Sequence, residues 1–118
     1  MPEGLDRLVP GNMVRHFADG KYNRMERSLT IEECRQGIDR IDGEILDLLN
    51  ERARLASTIG KAKQAANQPV FVPEREQAVL DGLNARNSGP LSSKAVGAIF
   101  RAIITEIRSM EIAEREEG

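Results

Sequence analysis

A basic residue interrupts an otherwise apolar heptad row in the middle of the chain. Arg52 stands between Ile45 and Ile59, where the flanking pattern calls for an aliphatic side chain. Because a buried guanidinium without a counter-ion is strongly destabilising, Arg52 must meet a negative group. The pattern leaves three interpretations open: an ion pair with Glu76 or Glu111, a device that sets the register between helices, or a site for an anionic ligand.

A second cation follows on nearly the same line of the helix. Lys63 lies eleven residues after Arg52, which places the two side chains about 20° apart around the axis and about 16 Å apart along it. Two long side chains that lean together can both contact one small anion. Arg35 lies about 25 Å before Arg52, too far to reach that site from the same helix. In an antiparallel pair of chains it would approach the middle of the other helix, which predicts two equivalent sites that draw on both chains.

Two carboxylates lie beside apolar stripes further along the chain. Glu76 shares a helical face with Val79 and Leu83, and Glu111 follows Ile107 by four residues. Either one alone is more often a partly exposed residue at the flank of a helix. Together with the three cations, they predict a basic pocket containing two acids, which suits a small dianion.

The elements that must position these residues are helices. Thr30 and Glu33 have the spacing of a capping box, and the heptad pattern predicts a helix from Ile31 to about Ala66, about 50 Å long. Three glycines within it, Gly37, Gly43 and Gly60, are tolerable costs. So long a seam cannot be covered by the short helices that follow, and it predicts a partner helix, most simply from another copy of the chain.

Two shorter helices follow. One is predicted to begin at Pro73 and to stop near the segment NARNSGP, and the other begins after Ser92 or Ser93 as N-cap. The final segment EREEG is polar and is expected to fray. With no strand-like alternation, the fold class is all-α, three helices with a very long first one. Residues 1–29 lack a period and are expected to form an extension, either a flexible arm or a small cap.

Composition narrows the function classes. The 118 residues suit one domain, the net charge is −2 with both signs interspersed, and aromatic residues make up only 3% without tryptophan, which disfavours nucleic-acid and membrane partners. One cysteine, Cys34, and one histidine, His16, exclude an intrachain disulfide and a His-rich metal site. No stretch is typical of a membrane span or a signal peptide. We expect a soluble protein of a reducing compartment such as the cytoplasm.

Three segments carry a family resemblance: IDRIDGEILDLLNERARLASTIGKAK, PVFVPERE and IFRAIITEI. Over residues 31 to about 112 the chain resembles the all-helical, AroQ-type chorismate mutases, in particular the mutase domains of bifunctional chorismate mutase/prephenate dehydratase proteins. The resemblance implies a helical domain over 30–118 and an intertwined homodimer with shared active sites. It also implies the pericyclic Claisen rearrangement of chorismate to prephenate in phenylalanine and tyrosine biosynthesis, which needs no cofactor or metal.

The resemblance also implies residue roles. Arg52 and the partner's Arg35 would hold the two substrate carboxylates, for which guanidinium geometry is suited. Lys63 would donate to the ether oxygen and to a carboxylate. Glu76 would accept a hydrogen bond from the ring hydroxyl, and Arg75 would support the electrostatics nearby.

Three further positions carry expectations of their own. Glu111 stands where the family has Gln or Glu facing the ether oxygen, and a carboxyl group can donate there only when protonated. We therefore expect a raised pKa for Glu111 and an activity that falls as the pH rises. Val72 and Ile107 depart from the acid and the serine that some members carry there, which predicts weakened secondary contacts to the substrate.

Two other functions remain as alternatives. Isochorismate pyruvate lyase is built on the same helical scaffold, but the second glutamate of PERE, Glu76, favours the mutase. A non-catalytic dimerisation or regulatory module would instead have Arg52, Lys63 and Glu76 pair with one another. The sequence leaves open whether this domain acts alone or within a bifunctional protein.

Overall fold

Three α-helices make up the structure, a computed structural model that describes residues 28–117. Helix α1 spans Ile31–Ala65, α2 spans Pro73–Arg86 and α3 spans Ser93–Glu117. The described range contains no strand, and the predicted all-α fold with a very long first helix is confirmed. The extension predicted at residues 1–29 lies, except for its last two residues, outside the described range. Within that range no helix is long and apolar enough to cross a membrane.

Two of the three helix starts are fixed by side-chain caps. The amide of Glu33 donates to Thr30 Oγ1 at 3.0 Å, and the amide of Thr30 donates to Glu33 Oε1 at 2.9 Å, which is the predicted capping box. At α3 the amide of Ala95 donates to Ser92 Oγ at 3.0 Å. Ser92 is therefore the N-cap of α3, which decides between the two predicted caps.

The loop between α1 and α2 turns sharply at its first residues. Asn67 has a positive φ of 61°, a conformation that asparagine tolerates better than most residues after a helix end. The amide of Gln68 then donates to the carbonyl of Lys63 at 2.7 Å. Pro73 begins α2 after an extended Val72. This turn brings the loop back beside the end of α1.

The chain divides into two compact units, Met1–Ile45 and Leu46–Gly118. Of the first unit the structure describes residues 28–45, which hold the capping box and the early turns of α1. The second unit contains residues 46–65 of α1 together with α2 and α3. Its buried apolar side chains are Leu80 of α2 and Val96 and Ile104 of α3, so α2 and α3 form the core against each other.

The heptad seam of α1 is exposed in this single chain, in which the helix has no buried residue. In the first unit Ile31 is 72% exposed, and in the second Leu48 is 62% and Leu55 is 63% exposed. Arg52 is only half-buried. Within a single chain, therefore, Arg52 does not carry the full free-energy cost of a buried charge.

The polar tail of α3 does not fray as expected, since the helix continues to Glu117. Ser57 Oγ donates to Glu114 Oε1 at 2.8 Å. Arg115 donates to the carbonyl oxygen of Gln68 at 2.8 Å and to that of Gly60 at 3.5 Å. These side chains tie the last turns of α3 to α1 and its loop, contacts that composition alone could not reveal.

Candidate active site

A cleft of about 530 Å³ lies within the second unit, between α1, the α1–α2 loop, α2 and α3. All of the predicted site residues line it except Arg35, which is exposed in the first unit. The charged lining side chains are Arg52, Lys63, Arg75, Glu76, Arg108 and Glu111. Four are basic and two are acidic, and the remaining walls are largely aliphatic. The electrostatics of this cleft therefore favour a small anion.

Arg52 has no carboxylate partner in the part of the chain that the structure describes. Within residues 28–117 it forms no ion pair at or below 4.0 Å with any acid, and Glu76 pairs with a different arginine. The ion pair with Glu76 or Glu111 that the pattern left open is thus not formed. The guanidinium stays available to a ligand in the cleft.

Among residues 28–117, one hydrogen bond holds the side chain of Lys63. Its Nζ donates to the carbonyl oxygen of Val70 at 3.1 Å, an acceptor that the turn at Asn67 returns to α1. An ammonium group has three N–H donors, so two remain for a ligand. The loop therefore aims the lysine without using up its donors.

Glu76 is held by a residue that the sequence analysis did not single out. Arg108 Nη1 lies 3.5 Å from Glu76 Oε2, and each side chain is 25% exposed. The guanidinium carbon of Arg108 also lies 4.5 Å from the centre of the Phe71 ring. A signal was present, because Arg108 is four residues after Ile104 and three before Glu111 and thus shares their face of α3.

Glu111 has a raised pKa, as predicted. Burial of the carboxyl group is the main cause, and the charge of Glu114 adds to it, whereas Lys63, Arg115 and Arg52 lower the pKa. Burial thus raises the pKa by more than the three cations lower it. The group is thus shifted toward the protonated form that can donate a hydrogen bond.

A glycine allows Glu111 to lie close against α1. A Cβ atom at Gly60 would stand 3.2 Å from Glu111 Oε2 and 3.7 Å from its Cγ, closer than ordinary van der Waals contact for the oxygen. From the sequence alone, Gly60 is only a cost to the helix. Nothing in the sequence separates it from Gly43, whose added Cβ would meet no atom of the described chain within 4 Å.

The two predicted departures also lie in the wall. Val72 precedes α2 in an extended conformation and makes no side-chain cap, and Ile107 of α3 is half-buried. Both present aliphatic carbon to the cleft. Arg75 is exposed at its rim. Among residues 28–117, no three His, Cys, Asp or Glu side chains are grouped so that they could hold a metal ion.

Fold and cleft together define an all-helical protein with a basic, partly aliphatic pocket between its helices. The family model for chorismate mutase type II matches residues 34–112, and the chain belongs to that family. Among its relatives, the bifunctional chorismate mutase/prephenate dehydratase of Aquifex aeolicus (strain VF5) is 45% identical over 85 residues, which cover 69% of this chain. The bifunctional protein of the same name from Neisseria gonorrhoeae is 44% identical over 88 residues, or 71% of this chain.

The likeness covers a limited part of those relatives. The matched region spans 24% of the length of each of the two proteins. A solved structure, chorismate mutase (Form II) from Thermus thermophilus, is similar with a TM-score of 0.68 and 34% identity, covering 69% of this chain and 92% of that one. The two kinds of alignment therefore agree on one helical domain of about the same extent.

Proposed function

We propose that this chain is a chorismate mutase, which rearranges chorismate to prephenate in the biosynthesis of phenylalanine and tyrosine. The observation that carries the proposal is Arg52, a guanidinium that lies in the same cleft as Lys63 and Glu111 and has no carboxylate partner among residues 28–117. Chorismate is a small dicarboxylate with an ether oxygen and a ring hydroxyl, and the cleft offers a counterpart for each of these groups. A single exposed cysteine, Cys34, fits a reducing compartment such as the cytoplasm.

The reaction makes modest chemical demands on the protein. A carbon–oxygen ether bond breaks as a carbon–carbon bond forms within one molecule, and no proton has to be transferred. The cleft must confine the substrate in its reactive conformer, and aliphatic walls such as Ile104 and Ile107 provide that confinement. It must also stabilise the negative charge that develops on the ether oxygen. Lys63 has two free N–H donors for this oxygen and a carboxylate, and protonated Glu111 adds a further donor.

The remaining groups bind and orient the substrate. Arg52 takes a carboxylate through paired N–H donors. Glu76 accepts a hydrogen bond from the ring hydroxyl, and Arg75 at the rim adds positive potential. Val72 and Ile107 supply no polar contact, so the affinity rests on the cations.

A homodimer completes the site. The apolar seam of α1 is exposed in the single chain, and the described buried core comprises only a few side chains of α2 and α3. A chain with so small a core gains much of its stability by burying such a seam against a second copy. In the intertwined dimer that the resemblance implies, the partner's Arg35 would take the second carboxylate of the substrate.

The test is turnover of chorismate by the purified chain and by two matched arginine variants. Arg52→Ala should lower kcat/KM by about a hundredfold or more, because a charge-assisted contact to the dianion is lost. Arg54→Ala removes the same charge two residues away on α1, outside the cleft, and should keep kcat/KM within about twofold. Isochorismate is assayed in parallel. Pyruvate release from isochorismate without prephenate formation, or equal effects of the two variants, would contradict the proposal.

A further inference from the structure

We infer that Arg108 is a positioning residue that keeps Glu76 turned away from the other cations of the cleft and ready to accept the substrate hydroxyl. The inference rests on the proposed function and adds a residue to it. It concerns the pair described above: the Glu76 carboxylate, the Arg108 guanidinium 3.5 Å away, and the Phe71 ring under that guanidinium.

The need for such a residue follows from charge. Glu76 lines a cleft that also holds Arg52, Lys63 and Arg75, the cations that a dianion must use. A glutamate side chain has three rotatable bonds, and a free carboxylate would be drawn to these cations. It would then compete with the substrate for them and would repel it. Pairing with Arg108 offsets the negative charge and fixes the carboxylate at one wall.

Phe71 explains why this residue is an arginine. The guanidinium carbon lies over the ring, 4.5 Å from its centre, and this cation–π contact helps to hold the side chain beside Glu76. A lysine would keep the charge but lose the planar contact. At 25% exposure for each partner, the ion pair alone is worth little in stability, so its main consequence is orientation.

Arg108 lies where it can do this without belonging to the anion-binding pair. It is on α3 between Ile104 and Glu111, whereas Arg52 and Lys63 are on α1. Its guanidinium is engaged by both Glu76 and Phe71. A residue that bound the substrate directly would affect binding whether or not Glu76 carried a charge. A residue that acts through Glu76 would not.

The experiment is a double-mutant cycle on kcat and KM for chorismate, with Arg108→Ala, Glu76→Gln and the double variant. Arg108→Ala alone should lower kcat/KM about tenfold, chiefly through KM, because freed Glu76 competes for the cations. In the Glu76→Gln background the same change should cost less than about twofold. Arg101→Ala, two turns earlier on α3, is the matched control and should keep kcat/KM near that of the parent.

Each outcome of this cycle either supports the inference or overturns it. If Arg108→Ala costs as much in the Glu76→Gln background as in the parent, Arg108 contacts the substrate or supports the fold, and the inference is overturned. A parent chain without chorismate turnover would overturn the proposed function and this inference together. If Arg108→Ala does not fold by circular dichroism, Arg108→Lys and Phe71→Leu take its place. They should give losses of a few-fold that again vanish with Glu76→Gln, and undiminished losses would overturn the inference.

Discussion

The two acidic corners of the cleft are built in opposite ways. Glu76 is paired with Arg108 across 3.5 Å, and each of the two side chains is 25% exposed. Glu111 has no ion pair within residues 28–117, lies against Gly60, and has its pKa raised mainly by burial. Two carboxyl groups in one cleft thus lie in different surroundings. The difference supports the proposed roles, a hydrogen-bond acceptor at Glu76 and a donor at Glu111.

The neighbouring cations alone do not set the pKa of Glu111. Lys63 and Arg52 both act on Glu111 and lower its pKa, yet burial outweighs them. At the Glu76 corner the partner is a guanidinium in direct contact. Burial therefore governs Glu111, whereas an ion pair holds Glu76, and variants at the two corners test different roles.

The largest effect is expected at the acceptor corner. Glu76→Gln removes the charge that is proposed to accept the substrate hydroxyl and takes away the carboxylate partner of Arg108, so kcat/KM should fall by about a hundredfold. Because an acceptor carboxylate is needed at every working pH, the loss should be similar between neutral and alkaline pH. A steady-state pH series measures this. A loss confined to one end of the series would break the proposed division of roles.

The donor corner should respond to pH instead. Glu111→Gln replaces a carboxyl group that donates only when protonated by an amide that donates at every pH. Parent activity should decline as the pH rises through the pKa of Glu111, whereas the variant should keep a flat profile. The variant should therefore exceed the parent by about tenfold on the alkaline side. If both lose activity over the same alkaline range, Glu111 is not the donor.

A smaller effect tests the close packing at this corner. Gly60→Ala pushes a methyl group toward Glu111 Oε2 and should lower kcat by about twofold to fivefold. Gly43→Ala is the matched control on α1, since its Cβ meets nothing within 4 Å in the described chain. It should leave kcat unchanged and should stabilise the helix by about 0.5–1 kcal/mol. Equal kcat values for the two variants would show that the approach to Glu111 is unimportant.

The smallest effect is on stability. The pKa of Glu111 is higher in the folded chain than in the unfolded chain. The stability that protonated Glu111 contributes to the fold is therefore fully present at acidic pH and is lost as the pH rises through the folded-state pKa. The melting temperature of Glu111→Gln minus that of the parent should therefore increase from acidic to neutral pH. Thermal unfolding at one fixed protein concentration measures this. A melting-temperature difference that stays constant or decreases over this pH range would mean that burial does not set the pKa of Glu111.

Much of the cleft could be predicted from spacing. Helical periodicity relates Arg52 to Lys63 by simple geometry, and capping chemistry located one helix start at Thr30 and narrowed another to Ser92 or Ser93. These signals are local or strictly periodic, so no tertiary information is needed to interpret them. That Arg52 lacks a carboxylate partner within the described range could not be predicted, because this depends on where α2 and α3 pack against α1.

The features that could not be predicted from the sequence depend on contacts between distant segments of the chain. In the sequence, Arg108 resembles an ordinary exposed residue at the flank of a helix. Its role becomes visible only in the structure, where Phe71 and Glu76 lie beside it. Gly60 resembles any helical glycine until Glu111 is packed against it. The tail of α3 was expected to fray because its residues are polar, although Arg115 reaches carbonyl groups on α1 and its loop.

The central claim is that this cleft, completed by the Arg35 of a second copy, turns over chorismate. Mixing Arg35→Ala and Arg52→Ala chains after unfolding and refolding tests it most directly. Each variant alone should be nearly inactive. The mixture should recover about a quarter of the parent activity, since half of the dimers are mixed and each has one intact site. No recovery, when mixed dimers are demonstrated by native mass spectrometry, would contradict a shared active site.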